Sequence, residues 1–230
     1  MKSKRASKTK PPLKYTVLNH RNYSYLIECR SHPREAVLDS LRARTEALGE
    51  IARMQIGREQ GSFMTLLVAA VGAREAIEIG TFTGYSSICI ARGLPLRGRL
   101  LCLDVSEEWT GIARKYWARA GVAKKIELRL GPATESLKKL ERARKFDFAF
   151  IDADKTGYDA YYEAVLPRMR RNGLMLFDNM LWGGRLVGQQ RIADEEGRAI
   201  DRLNRKLARD ARVESVLLPL ADGIHVCRVL

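Results

Sequence analysis

Two clusters of acidic and amide side chains stand at spacings that could do chemistry. Ile151-Asp152-Ala153-Asp154-Lys155 closes one apolar run, and Phe177-Asp178-Asn179 closes the next. On neighbouring strands, Asp152 and the Asp178-Asn179 pair would meet at one sheet edge as three oxygen donors. Hard oxygen donors without His or Cys favour Mg²⁺, Mn²⁺ or Ca²⁺ over zinc. Three protein ligands leave positions open for water and substrate, and such an ion lowers the pKa of a hydroxyl it holds. Lys155, three residues past Asp152, is a candidate base beside that cleft. The plain alternative is that Asp152 and Asp154 cap helices and that Asp178-Asn179 is a polar turn.

A second constellation lies upstream. The run Ala76–Gly80 leads into Thr81-Phe82-Thr83-Gly84-Tyr85-Ser86. Two glycines at such a turn let the backbone approach a ligand closely. Their spacing is not the GxGxxG of a dinucleotide site. Asp104 ends the next apolar run, where a carboxylate can accept hydrogen bonds from both hydroxyls of a ribose. The pattern suits an adenosine-type ligand without a pyrophosphate. Its alternative is a tight turn and an unrelated strand-end aspartate.

The elements around these residues alternate. Apolar runs at 76–80, 100–105, 126–130, 146–152 and 174–178 read as strands, with helical patterns at 83–92, 106–121 and around the tyrosines 158, 161 and 162. Strands separated by helices predict a mostly parallel sheet with helices on both faces. In such a sheet, ligands sit at the carboxyl ends of the strands. Runs at 213–218 and 224–229, joined through Asp222-Gly223, predict a closing hairpin and one antiparallel strand. Arg168, Arg170 and Arg171 read as the end of a helix, and Arg202, Arg205, Lys206 and Arg209 as a solvated helix face. The tyrosines read mainly as packing, and Trp109 and Trp117 as residues remote from the cleft. Trp182, directly after the Asp178-Asn179 pair, reads equally as a substrate wall and as packing. The first third is helical, at 22–29, 34–48 and 60–71. The expected organisation is a disordered basic tail at 1–14 and one domain at 15–230. Within it, a helical cover (15–72) lies over an α/β body (73–230).

Together EIGTFTGYSS, LDVSEEW, AGVAKKIELRLGPA, FAFIDADKTGYDAYY and FDNMLWGG resemble the cation-dependent O-methyltransferases, the caffeoyl-CoA and, more distantly, catechol O-methyltransferases. The resemblance runs from about residue 54 to the C-terminus. It implies a Rossmann-like class I methyltransferase, α/β, with a seven-stranded, mostly parallel sheet. S-adenosylmethionine would be the cofactor, touched by Ile56, Glu78, Gly80, Thr81, Ser86, Asp104, Ala133 and Asp154. Asp152, Asp178 and Asn179 would bind the divalent cation, and Lys155 would be the base. A cation chelating two adjacent hydroxyls both orients and ionises the acceptor, so the expected acceptor is a catechol-like small molecule. A homodimer is implied by the resemblance alone. The segment Leu181–Gln190 carries no acceptor-recognition signature.

Charge raises a rival. The 230 residues carry 41 Lys+Arg against 27 Asp+Glu, a net +14. Residues 1–14 hold six of the basic side chains and no acid, leaving +8 on the rest. A basic surplus suits RNA, and a tRNA hydroxyuridine methyltransferase of the same family is the alternative function. A non-catalytic cofactor-binding protein is a third reading, disfavoured by the intact Asp152, Lys155, Asp178, Asn179 set. Four scattered cysteines without a CxxC pair fit a reduced, cytoplasmic protein. The longest apolar run, 63–73, is far short of a bilayer span. No secretory signal is visible and no membrane partner is expected.

Overall fold

Strand propensity is concentrated in five apolar runs that become parallel strands. The computed structural model describes residues 20–31, 35–141, 143–186, 192 and 194–230; the expected tail at 1–14 lies outside the described residues. The chain divides into two units, Met1–Ser31 and His32–Leu230. The described part of the first is one helix, α1 (His20–Glu28), followed by a short turn.

The second unit is built on seven strands: β1 (Glu75–Ile79), β2 (Arg99–Asp104), β3 (Ile126–Leu130), β4 (Phe146–Ile151), β5 (Met169–Phe177), β6 (Val213–Leu218) and β7 (Ile224–Val229). Their order in the sheet is β3-β2-β1-β4-β5-β7-β6. β1 to β5 run parallel. β7 is antiparallel to both neighbours, β5 and β6. It is the one reversed strand, as the Asp222-Gly223 turn predicts.

Alternation along the strands divides the core. On one face, Ile77, Ile79, Leu101, Leu103 and Ile151 pack under α6 (Ala133–Lys138), α7 (Tyr158–Val165) and α8 (Glu195–Leu207). On the other, Ala76, Leu100, Cys102, Phe148 and Phe150 pack under α2 (Glu35–Glu46), α3 (Arg58–Ala70), α4 (Tyr85–Gly93) and α5 (Glu107–Arg119). Phe148 and Phe150 are fully buried, and truncating either to alanine should cost about 3–5 kcal/mol. Ser106 caps α5 by accepting from Trp109 N at 3.2 Å. Gly121, at φ +70°, lets the chain leave that helix.

Three expectations need correcting. Arg170 and Arg171 open β5 rather than ending a helix: α7 stops at Val165, and Pro167 forbids its continuation. A helix, α6, stands between β3 and β4, where the sequence pattern suggests none. α8 begins at Glu195, earlier than its apolar pattern, because Asp194 caps it through Gly197 N at 2.7 Å.

Candidate active site

The loop from β1 to α4 is shaped by two glycines. Gly80 has φ +89°, and a Cβ there would stand 1.9 Å from the Asp152 carbonyl oxygen. Gly84 has φ +88°, and its Cβ would meet that of Ala113 at 2.7 Å. Any other residue would push the loop off the β4 end or off α5. Asp104 then pins the loop. Its Oδ2 accepts from Thr81 N and Phe82 N, both at 2.8 Å, and its Oδ1 from Ser106 N at 2.8 Å. Oδ2 thus has both lone pairs engaged while Oδ1 keeps one, and Asp104 lines the cleft, so Oδ1 could also receive a hydroxyl.

Glu78 is placed differently. Strand alternation turns it towards α4, and it is fully buried behind the loop, not on the cleft wall. Burial pushes its carboxyl up to about 8, softened by the nearby Ser86, Cys102 and Thr81. Cys102 Sγ lies 3.3 Å from Oε2. Among the described residues Oε1 has no hydrogen-bond partner, and neither has the buried Thr81 Oγ1.

The second half of the site comes from β4 and β5. Their register pairs Ile151 with Phe177, so the next residues, Asp152 and Asp178, are neighbours at the carboxyl edge. Asp178 is buried. Burial, then the Asp152 charge, pushes its carboxyl up to about 7, against the opposing pull of the Gln60 side chain and of Asn179 N. That N–H donates to Asp178 Oδ1 at 2.7 Å, and Asn179 itself takes the left-handed φ of +57°, a conformation asparagine tolerates. Lys155 is buried too. Its Nζ donates to Asp152 Oδ1 at 2.8 Å and to Tyr158 Oη at 2.7 Å. Tyr158 Oη in turn donates to the Asp178 carbonyl at 3.2 Å. Asp154 stands at the exposed rim, where Tyr161 Oη donates to its Oδ1 at 2.5 Å. The tyrosines of α7 thus pack, as expected, and their hydroxyls also hold site residues.

Both halves open on one cleft of about 1010 Å³. Ile56, Gly80, Thr81, Ser86, Asp104, Ala133, Asp152, Asp154, Lys155, Asp178, Asn179 and Trp182 all line it. Of the sequence candidates only Glu78 stands behind the wall. Trp182 is fixed by its Nε1 donating to Asp194 Oδ1 at 2.9 Å, and the Arg185 guanidinium lies over its ring. The β6–β7 turn supports this segment: Asp222 Oδ1 accepts from Gly183 N at 2.6 Å. Residues 187–190 of the acceptor segment lie outside the described residues. Trp109 corrects an expectation. It lines the cleft and meets Phe82 edge-on at 5.1 Å, because the first turn of α5 starts at the carboxyl end of β2. Gln60 was also missed. The residue is 1% exposed in the cleft wall beside Asp178, and its Nε2 has no aligned partner among the described residues. Trp117, in contrast, is core, its Nε1 donating to Ser87 Oγ at 2.8 Å.

A family model described as O-methyltransferase matches residues 28–230. The chain belongs to that family. It is 44% identical over 169 residues to a probable caffeoyl-CoA O-methyltransferase 2 of Dictyostelium discoideum, covering 72% of this chain and 73% of the relative. It is 35% identical to a caffeoyl-CoA O-methyltransferase of Zinnia elegans, covering 94% and 95%. Among solved structures, the Bacillus cereus O-methyltransferase in complex with SAH matches with a TM-score of 0.82 and 33% identity, over 90% of this chain and 96% of that one. The chain is an S-adenosylmethionine-dependent O-methyltransferase with a Rossmann-like fold.

The O-methyltransferase cleft fits that cofactor on its own terms. Gly80 lets the β1–α4 loop pack against the end of β4, Asp104 Oδ1 keeps a lone pair at the cleft, and Glu78 Oε1, buried behind that loop, has no hydrogen-bond partner among the described residues. It also fits a hard cation. Asp152 and Asp178 are two carboxylates at one edge, the Asp152 charge helping to raise the Asp178 carboxyl, with the Asn179 carboxamide next in the chain. Among the described residues no three His, Cys, Asp or Glu side chains form a metal cluster, so a third protein donor at this edge would be that amide.

Proposed function

We propose that this enzyme methylates one hydroxyl of a vicinal dihydroxy aromatic, a catechol-like small molecule, with S-adenosylmethionine as donor. A divalent cation, Mg²⁺ or Mn²⁺ before Ca²⁺, is held by Asp152, Asp178 and Asn179. The observation that carries the reading is the Asp152–Asp178 pair at one sheet edge with the Lys155 amine 2.8 Å from Asp152. When bound, such a cation supplies Lewis acidity that lowers the pKa of a hydroxyl.

The protein's own groups supply the rest. Lys155 Nζ takes the hydroxyl proton, with the Tyr158 hydroxyl fixing the direction of the amine. The glycine loop and Asp104 hold the donor on one side of the cleft, and the carboxylate edge holds the acceptor opposite. Methyl transfer is an in-line displacement, and fixing both partners removes much of its entropic barrier. The ring of Trp182, clamped by Asp194, serves as a wall for an aromatic acceptor. The phenolic acceptor named for the Dictyostelium and Zinnia relatives supports the substrate class.

Labelled S-adenosylmethionine with catechols, acyl-CoA phenolics and bulk tRNA, each with and without EDTA, tests this. Turnover on catechols, abolished by EDTA and restored by Mg²⁺ or Mn²⁺, is expected. Metal-independent turnover would remove the cation, and turnover on tRNA alone would replace the acceptor.

A further inference from the structure

The sheet edge opposite the cleft carries charge that methyl transfer does not use. The segments that open the five parallel strands are residues 74–75, 97–99, 124–127, 144–147 and 168–171. They hold ten basic side chains and three acidic ones. The strand order sets these openings in a row, about 19 Å long at roughly 4.8 Å per strand. Hydrogen bonds join its members. Arg99 Nη1 lies 3.5 Å from the Lys124 carbonyl, and Arg99 N donates to the Arg74 carbonyl at 2.8 Å. Arg74 N and Arg170 Nη1 both donate to the Asp147 carboxylate, at 2.8 and 2.7 Å. Lys145 Nζ donates to the Pro167 carbonyl at 2.7 Å. Two of the acids are already engaged, Asp147 by Arg170 and Glu127 by Arg129 and Arg144. Arg74, Arg97, Lys124 and Arg171 are exposed and make no side-chain ion pair or hydrogen bond among the described residues.

An aliphatic tip stands among these cations. Leu96, on the turn just before Arg97, is 89% exposed, and Val71, on the turn before Arg74, is 38% exposed. The Arg99–Arg74 backbone bond sets the two turns side by side. No large aromatic side chain is exposed on this edge among the described residues, so bases would find no stacking platform. Cations around a protruding leucine suit an anionic bilayer. Guanidinium and ammonium groups meet the headgroup charge while the aliphatic tip enters the acyl boundary.

We propose that this edge docks the enzyme on an anionic phospholipid surface. The enzyme lies on the bilayer rather than crossing it, since no described helix is long and apolar enough to span. A search of the sequence for spanning runs is blind to such a surface, because the contributing residues are scattered over five segments. The cleft, at the opposite strand ends, stays open to water.

The test is co-sedimentation of the full chain with phosphatidylcholine vesicles, with and without about a third phosphatidylserine. Binding to the anionic vesicles only, weakened by salt, is expected. The double variant R97A/R171A should weaken it about 25-fold, roughly fivefold per arginine. Leu96→Ser should weaken it by about tenfold without changing the salt dependence. Unchanged cofactor affinity and melting temperature show that both variants are folded, since neither site touches the cleft. Residues 1–14 stay in place throughout, so anionic-vesicle binding that R97A/R171A leaves intact belongs elsewhere and overturns the proposal. Absence of vesicle binding overturns it as well. So does a result in which L96S binds vesicles normally while R97A/R171A releases a single-stranded RNA; that outcome assigns the edge to nucleic acid.

Discussion

Replacing Glu78 by glutamine should flatten the pH dependence of stability of the cofactor-free protein. Glu78 is fully buried, and its carboxyl is pushed from 4.5 in the unfolded reference up to about 8. Between those values the folded protein keeps a proton that the unfolded chain has released. Stability from this group is therefore complete below about pH 4.5 and is lost as pH rises through 8. Each pH unit in that window costs about 1.4 kcal/mol, and the whole window up to about 5 kcal/mol. That is a large fraction of a typical net stability of about 5–15 kcal/mol. Urea titrations of wild type and Glu78→Gln, at pH values spanning the window, measure it. The difference between the two proteins isolates Glu78 from the other titrating groups. A cationic cofactor ammonium paired with Oε1 should remove the wild-type slope when S-adenosylmethionine is saturating. Parallel stability curves for the two proteins would refute the argument, because the buried carboxyl would then be no proton store.

Three further outcomes follow from the geometry. Gly80→Ala adds a Cβ 1.9 Å from the Asp152 carbonyl at φ +89°. It should cost at least about 2 kcal/mol and weaken cofactor binding, read by thermal melting and calorimetry; an unshifted melt would mean that the loop relaxes freely. Lys155→Met should cut kcat by about 10²–10⁴-fold while leaving the cofactor Kd within a fewfold of wild type; equal losses in both would make Lys155 a scaffold residue. His225 is buried, with Nδ1 2.7 Å from Asn204 Oδ1, and burial lowers it to about 4 from 6.5. Its neutral form should withhold up to about 3 kcal/mol of stability as pH falls from 6.5 towards 4. His225→Gln should lose that acid-side slope in urea titrations, and an unchanged slope would place the titration elsewhere.

The strands and the carboxylate pair were legible because both are local signals. Apolar runs mark the strands, and acids at the ends of two successive runs become neighbours whenever those runs pair in register. The reversed β7 was legible in Asp222-Gly223. Trp109 was not, since the direction in which a helix leaves its strand is set by packing, here by the pinning of Ser106 to Asp104. Gln60 was invisible because it arrives from α3, far from Asp178 in sequence, and an uncharged amide in an apolar stretch looks like an ordinary polar interruption. The resemblance assigns Glu78 to the cofactor, and strand alternation alone is enough to say that its side chain is buried behind the loop. Arg170 and Arg171 misled because β5 begins polar at its exposed end and becomes apolar only from Gly173 onward.

The position of β7 between β5 and β6 has a consequence for biosynthesis. β6 emerges from the ribosome before the strand it must pair with. Until Ile224–Val229 follow, β5 presents an open edge carrying Met175, Leu176 and Phe177, buried in the finished sheet. Such an edge is a template for another chain. Asp178 and Asn179 hang from the end of that same strand, so these cleft-lining side chains are also among the last groups to be locked in place. A nascent chain stalled between β6 and β7 should be prone to sticking to its neighbours, whatever the quality of its first five strands.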